Sequence, residues 1–317
     1  MKPVVIGFDT SCYTTSVAAA TPDGHLLCSF RKLLPVAAGE RGLRQSDAVF
    51  LHIKQIPELI NQLSEAIKGF DVALVCASTK PREGEDSYMP VFNVGKTMAE
   101  SMASILKVPF VETDHQHGHF SAAAYESGIN AEKPYLAVHL SGGTTDIVRI
   151  DHGDLVLLGT SLDLHAGQLV DRIGVAMGMT FPAGPELEKL AQKGNAKAMI
   201  PSSVTGDGLS CHLSGAEAAC TRMIRNGNMS RENVAAEVFD CLARTISKMI
   251  LNGIEKTGIS QVLLAGGVSS SALFRHMITE RIHKADRNAV VCFGHPEYSG
   301  DNAAGVALIG AAQLLRE

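Results

Sequence analysis

The chain has 317 residues, of which 45% are hydrophobic and 19% charged, and carries a net charge of −5. That composition belongs to a folded globular chain with room for two domains and excludes a disordered one. An acidic chain without a Lys/Arg block is not expected to bind nucleic acid tightly by itself, and no apolar run approaches the ~18 residues of a membrane span. In chain order, residues 4–8 form an apolar strand, residues 9–12 a turn, and residues 16–20 and 26–30 two more strands joined at Pro22-Asp23-Gly24-His25. The opening Met1-Lys2-Pro3-Val4 reads as the start of a strand and not as a signal peptide. Val49, Phe50, Ile53, Ile56, Leu59, Ile60 and Leu63 recur at helical spacing, with Pro57 expected to kink the helix. A strand follows at 72–77, a helix through Val94, Met98 and Met102, and a strand at 108–111.

From residue 135 the order begins again. Residues 135–140 form a strand, Ser141-Gly142-Gly143-Thr144-Thr145-Asp146 a turn, and 147–150 and 155–158 two strands around Asp151-His152-Gly153-Asp154. Helices fill most of 165–257, the longest starting at Ser230 as its N-cap. A strand at 261–265, a helix at 270–282, a strand at 289–293 and a helix at 302–315 complete the chain. Two copies of one strand-turn-strand-turn-strand unit, each followed by alternating helices and strands, point to an internal duplication. Seven scattered cysteines without a C-x-x-C pair read as free thiols in a reducing compartment, which suggests the cytoplasm.

Three turns of small residues follow strands: residues 9–15, residues 141–146, and Ala265-Gly266-Gly267-Val268-Ser269-Ser270-Ser271. Glycines let a phosphate approach backbone N–H groups, and the hydroxyls add donors. Two such turns at equivalent places in a duplicated unit fit the nucleotide cleft of the actin/Hsp70/sugar-kinase fold, an α/β fold of two ribonuclease-H-like lobes. The expected lobes are residues 1–108, with the last helix (302–317) returning to them, and residues 109–301. Asp114-His115-Gln116-His117-Gly118-His119 places two imidazoles at i, i+4 on one helix face, a pattern for a transition metal. They need a third, anionic ligand, and Asp301 reads equally as that ligand or as a helix N-cap. His139 is expected to be a core residue, and His25, His52, His152 and His283 to be solvated. Arg41, Arg44 and Lys54 read as a solvated basic face.

These motifs, in this order, resemble the tRNA threonylcarbamoyladenosine synthase catalytic-subunit family, also known as the glycoprotease or O-sialoglycoprotein endopeptidase family. The family's H-x-E-G-H is similar to residues 115–119, S-G-G-H-T to Ser141-Gly142-Gly143-Thr144-Thr145, and Y-P-G-G-P to Phe181-Pro182-Ala183-Gly184-Pro185. Its S-F-S-G turn corresponds to Cys211-His212-Leu213-Ser214-Gly215, A-G-G-V to residues 265–268, and T-D-N to Gly300-Asp301-Asn302. The resemblance implies that His115, His119 and Asp301 hold one divalent metal, iron or zinc. It implies that Ser141, Gly142, Gly143, Thr144, Thr145, Gly266 and Gly267 flank the phosphates of ATP or an adenylate. Asp171, Gly184 and Ser271 would contact the rest of the nucleotide, and Ser11 and Cys12 would stand at the reacting centre. The implied reaction transfers a threonylcarbamoyl group from its adenylate to an adenosine of tRNA, with small protein subunits as partners and no membrane.

The chain also departs from the family. E-T-S-C-D-E-T reads Asp9-Thr10-Ser11-Cys12-Tyr13-Thr14-Thr15, so both acids after the cysteine are lost. Thr144 replaces a His, His117 a Glu, Leu164 an Asp and Ser271 an Asn, and the G-P-G loop becomes Lys80-Pro81-Arg82-Glu83-Gly84. These changes define an alternative, a nucleotide- and metal-binding paralogue that assists the true synthase without transferring the group. A sugar or carboxylate kinase shares the expected cleft. A metalloprotease is disfavoured, because Gln116 stands where H-E-x-x-H needs its Glu.

Overall fold

Burial along both faces of the first strand organises the first half of the chain. The structure is a computed structural model and describes residues 2–35, 43–84 and 87–316. Strand β1 (Lys2–Ser11) is buried from Val4 onward, as a strand must be when helices cover both its sides. Val4, Ile6 and Phe8 enter a core with helices α1 (Gln45–Ala66) and α2 (Phe92–Leu106). The alternate residues Val5 and Gly7 meet α9 (Ala304–Leu314), the last helix. β1 pairs antiparallel with β2 (Thr14–Ala20), and β2 with β3 (Leu26–Leu33). On its other side β1 runs parallel to β4 (Phe70–Ser78), and β4 to β5 (Phe110–Thr113). The order is therefore β3-β2-β1-β4-β5.

The second half repeats the plan. β6 (Tyr135–Leu140), β7 (Thr145–Asp151) and β8 (Asp154–Thr160) form antiparallel pairs. β9 (Gln261–Ala265) and β10 (Val290–Phe293) add in parallel, giving β10-β9-β6-β7-β8, the same order read from the other edge. Leu136, Val138 and Leu140 of β6 join a core with α4 (Ala166–Ala176), α5 (Gly184–Ala191), α6 (Ser214–Asn226), α7 (Arg231–Thr257) and α8 (Ala272–Ala285). Ser230 caps α7 as expected, its hydroxyl accepting from the Asn233 N–H. No helix among the described residues is long and apolar enough to cross a membrane.

Two expectations change, the boundary between the lobes and the state of His52. The chain divides into Met1–Tyr125 with Glu297–Glu317, and Glu126–Pro296. Residues 109–125 and 297–301 thus belong to the first unit, not the second. The reason is pairing: β5 completes the first sheet, and α3 (His115–Ala124) lies against α9. α1 runs through Pro57 without ending. Pro57 and Ile53, whose carbonyl loses its N–H donor, are both exposed, so water can take that bond. His52 is not solvated but fully buried, with its Nδ1 2.8 Å from the Thr15 hydroxyl. Arg41 and Gly42 lie outside the described residues.

The approach of α3 to α9 needs two glycines. A Cβ on Gly305 would lie 1.8 Å from the Gly118 carbonyl oxygen, and one on Gly118 would lie 3.2 Å from Val306. Gly118 is the glycine of the histidine motif, so the motif encodes a helix crossing as well as a pair of imidazoles. Gly305→Ala is expected to destabilise the protein by about 2–3 kcal/mol in chemical denaturation. Gly24→Ala, at φ +80° in open space, should cost only about 1 kcal/mol.

Candidate metal and nucleotide sites

The histidine motif becomes the start of α3. Asp114 is its N-cap and accepts from the His117 N–H at 2.9 Å. The N–H groups of His115 and Gln116 donate to the carbonyls of Lys80 and Pro81, which fixes the first turn. One turn apart, His115 and His119 face each other with 3.0 Å between their Nε2 atoms. Asp301 reaches them from the loop before α9, with its Oδ1 3.5 Å from His115 Nε2 and 3.3 Å from His119 Nε2. Asn302 shapes that loop: its Nδ2 donates to the Tyr298 and Gly300 carbonyls, and its Oδ1 accepts from the Ala304 N–H.

The three donors fit a metal ion. Ligands at zinc-like distances around a tetrahedral ion stand about 3.3 Å apart, and the observed separations bracket that value. Two imidazoles and one carboxylate suit zinc or ferrous iron and leave positions open for a substrate. A group not identified in the sequence reading orients the set. The carboxylate of Asp9, fully buried, lies 2.6 Å from His115 Nδ1 through Oδ2. Taking the proton there aims the Nε2 lone pair at Asp301 and His119. The Ser78 hydroxyl donates to the same oxygen, and the Ser11 N–H to Asp9 Oδ1.

The charges around the triad also favour protonated His115. Burial works against protonated His115, but the carboxylates of Asp9 and Asp301 outweigh it and hold its pKa well above the ordinary value. Burial likewise opposes the charge on Asp301, yet the two imidazoles hold its carboxyl well below the usual range. A cation held by these three groups would compete with that proton, so its affinity is expected to rise with pH.

Ser11 and Cys12 have different surroundings. The Ser11 hydroxyl donates to Asp301 Oδ2 at 2.8 Å, so it positions a ligand of the triad. Cys12 lies against Met89, Sγ to Sδ 3.8 Å. Burial, with a smaller push from Asp301, raises its pKa against the pull of Gln45 and His115, the reverse of what a thiolate nucleophile requires. His117 turns away to Asp114, 2.6 Å from its Oδ2.

The second unit contains a cavity of ≈ 530 Å³. It gathers Ser141, Gly142, Asp171, Gly184, Gly267 and Ser271 from turns far apart in sequence. Gly143, Thr144, Thr145 and Gly266 are not among its lining residues. Thr145 faces inward, its hydroxyl accepting from the Ala166 N–H at the start of α4. The Ser141 hydroxyl accepts from the N–H groups of Gly143 and Thr144 and shapes the turn. Gly266 holds φ +90°, and a Cβ there would lie 2.4 Å from the Leu140 carbonyl oxygen. Ser271 caps α8. Asp171 and Glu188, the latter not identified in the sequence reading, are the ionisable groups lining the cavity. Each has one oxygen fixed by a backbone N–H, from Ala183 and Leu273 respectively. The second oxygen of each remains to accept from hydroxyls, as on a ribose.

Asp163, next to the lost acid at Leu164, is structural. Although burial raises its pKa, the Ser214 hydroxyl and the N–H groups of Leu213, Leu164 and Ser214 bring it down to about 2. A depressed carboxyl stabilises the fold above its unfolded pKa and loses that contribution as pH falls toward the folded value. Asp163→Asn should thus cost about 1–2 kcal/mol at pH 6, and the gap should close between about pH 4 and 2 in urea titrations. Asp9→Asn should weaken zinc binding about 10- to 100-fold in competition with a chromophoric chelator, while the bound protein keeps its circular dichroism.

The chain is 27% identical over 312 residues to the tRNA N6-adenosine threonylcarbamoyltransferase of Methanopyrus kandleri, covering 97% of this chain and 86% of the relative. Among solved structures, HypF of T. kodakarensis superposes with TM-score 0.65 at 15% identity over 99% of this chain, which spans 48% of the HypF chain. A ROK family protein from Streptococcus pneumoniae TIGR4, in complex with sucrose, superposes with TM-score 0.58 at 15% identity over 99% of both chains. These likenesses show the duplicated fold of the actin/Hsp70/sugar-kinase class. The sequence model of one family matches residues 42–308, most of the chain, and the chain belongs to that family, TsaD, the tRNA N6-adenosine threonylcarbamoyltransferases.

Proposed function

We propose that this protein transfers a threonylcarbamoyl group from threonylcarbamoyl-AMP to an adenosine of tRNA, as a metal-dependent enzyme. The observation that carries the reading is the triad His115, His119 and Asp301, oriented by the buried Asp9 carboxylate. A ligand set kept together with the group that orients it is what a working metal site requires. One iron or zinc ion there would act as a Lewis acid on the acyl carbonyl. The protein's own groups bind and orient. Asp171 and Glu188 offer free carboxylate oxygens to the ribose hydroxyls of the adenylate, and Ser141, Gly142, Gly267 and Ser271 line the rest of its place. Ser11 holds Asp301, and Asp9 holds His115, so neither ligand has to reorganise. In the transfer, N6 of the adenosine bonds to the carbamoyl carbon and loses a proton, and the carbon–oxygen bond to AMP breaks, so AMP leaves with the electron pair. tRNA is bound together with small protein subunits, in the cytoplasm.

A second reading has its own observation. Tyr13 and Thr14 bring no acid to the turn after β1, and Cys12 remains a thiol. A protein that binds nucleotide and metal to support another synthase would tolerate both.

A reconstituted reaction tests the choice. Unmodified tRNA, threonine, bicarbonate, ATP, the adenylate-forming enzyme and the partner subunits are combined with this protein in place of an orthodox family member. Modified adenosine, found by mass spectrometry of the digested tRNA, is the expected result. Its absence, with the orthodox control active, would favour the non-catalytic reading. The double variant His115→Ala/His119→Ala should lose stoichiometric metal, and unchanged metal content would sink the assignment. Asp171→Ala should weaken ATP binding about tenfold in calorimetry, the loss of one charge-assisted hydrogen bond, and the variant should stay folded although the buried Ala183 N–H loses its acceptor.

A further inference from the structure

A cation of the first unit is left without a partner beside the triad. Arg31, on β3, makes no ion pair or side-chain hydrogen bond among the described residues, whereas its neighbour Lys32 reaches Glu58 at 2.5 Å. The strand register fixes its direction. Asp9 lies opposite Ser16, and Ser16 opposite Arg31, so the three side chains leave the sheet on one face. Asp9 uses that face to reach His115, and Ser11, two residues further along β1, uses it to reach Asp301. Arg31 stands two strands from Asp9, about 10 Å, and its side chain leans back across that gap. Its Nη1 lies 3.3 Å from where a Cβ would sit on Gly300, the residue before Asp301. The guanidinium is therefore placed on the loop that carries a triad ligand. It does not pair with Asp301, whose oxygens face Ser11 and the two imidazoles.

Charge counting gives this placement a consequence. A divalent ion at the triad would be balanced by Asp301 and Asp9. The guanidinium is then surplus positive charge next to an ion with open positions. Its planar fork matches the two oxygens of a carboxylate.

We propose that Arg31 is a specificity residue that binds the free carboxylate of the acyl group by two parallel N–H donations. The site then selects an acyl group ending in a carboxylate, an N-carbamoyl amino acid, over a plain carbamoyl group that has no anion to offer. This rests on the acyl transfer proposed above.

Calorimetry on the full-length, zinc-loaded protein tests it with two probes, N-carbamoyl-L-threonine and its carboxamide. Wild type should bind the acid about 10- to 100-fold more tightly than the amide, the range for a hydrogen-bonded charge. Arg31→Met should lose that preference while keeping its zinc content and its affinity for the amide. Arg31→Lys should restore only part, since an ammonium cannot make the fork. An undiminished preference in Arg31→Met, or none in wild type, would overturn the proposal. The transfer reaction separates the two ideas. Transfer by wild type with kcat/KM unchanged in Arg31→Met removes the role of Arg31 and leaves the transferase intact. Acid preference that depends on Arg31, without transfer, keeps the carboxylate site and removes the transferase.

Discussion

The interaction on which the first unit depends is the 2.6 Å contact between the buried Asp9 carboxylate and His115 Nδ1. A carboxylate with no exposure to water is costly unless every oxygen has donors. Asp9 meets that demand with the Ser11 N–H, the Ser78 hydroxyl and the imidazole. The same bonds tie the end of β1 to β4 and to the first turn of α3. Fold and site therefore share one set of hydrogen bonds, and the charge that orients His115 is also the charge the fold must satisfy.

Packing has a comparable role. Asp301 stands beside His115 and His119 because α9 crosses α3 where Gly305 meets Gly118. Gly7 does the same between β1 and α9, where a Cβ would approach the Ala307 nitrogen to 2.5 Å. Small residues at these crossings bring backbone to backbone, and a triad built from two distant segments keeps separations near those of a metal polyhedron.

The second unit divides its hydroxyls and glycines between structure and binding. Thr145 and the Ser141 hydroxyl hold the β6–β7 turn and the start of α4, and Gly266 permits a close approach to β6. Gly142, Gly267, Asp171 and Glu188 remain to line the cavity. A motif of five small polar residues is thus partly a folding device. Its change at Thr144 falls on a residue outside the cavity lining, which lessens the weight of that departure against a nucleotide role.

Much of this was legible in the sequence. Apolar periodicity and repeated turns gave the duplicated order of strands, because burial on sheet faces leaves a local pattern. The spacing of His115 and His119 gave two imidazoles on one face, since i and i+4 meet on any helix. Asp9, Glu188 and Arg31 were not legible. Asp9 read as a turn residue, Glu188 lay unremarked in a stretch read as helical, and Arg31 fell just beyond the strand expected at 26–30. Each acquires its role from a partner 85 or more residues away, and no local period records such a distance. His52 shows the same limit, a polar residue in a helical pattern that only the position of Thr15 draws into the core. By itself the sequence determined which segments form strands and helices and which side chains could ligate. The tertiary structure alone decided which carboxylate orients His115 and which cation is left unpaired among the described residues, because those depend on the crossing of elements that the chain brings together only on folding.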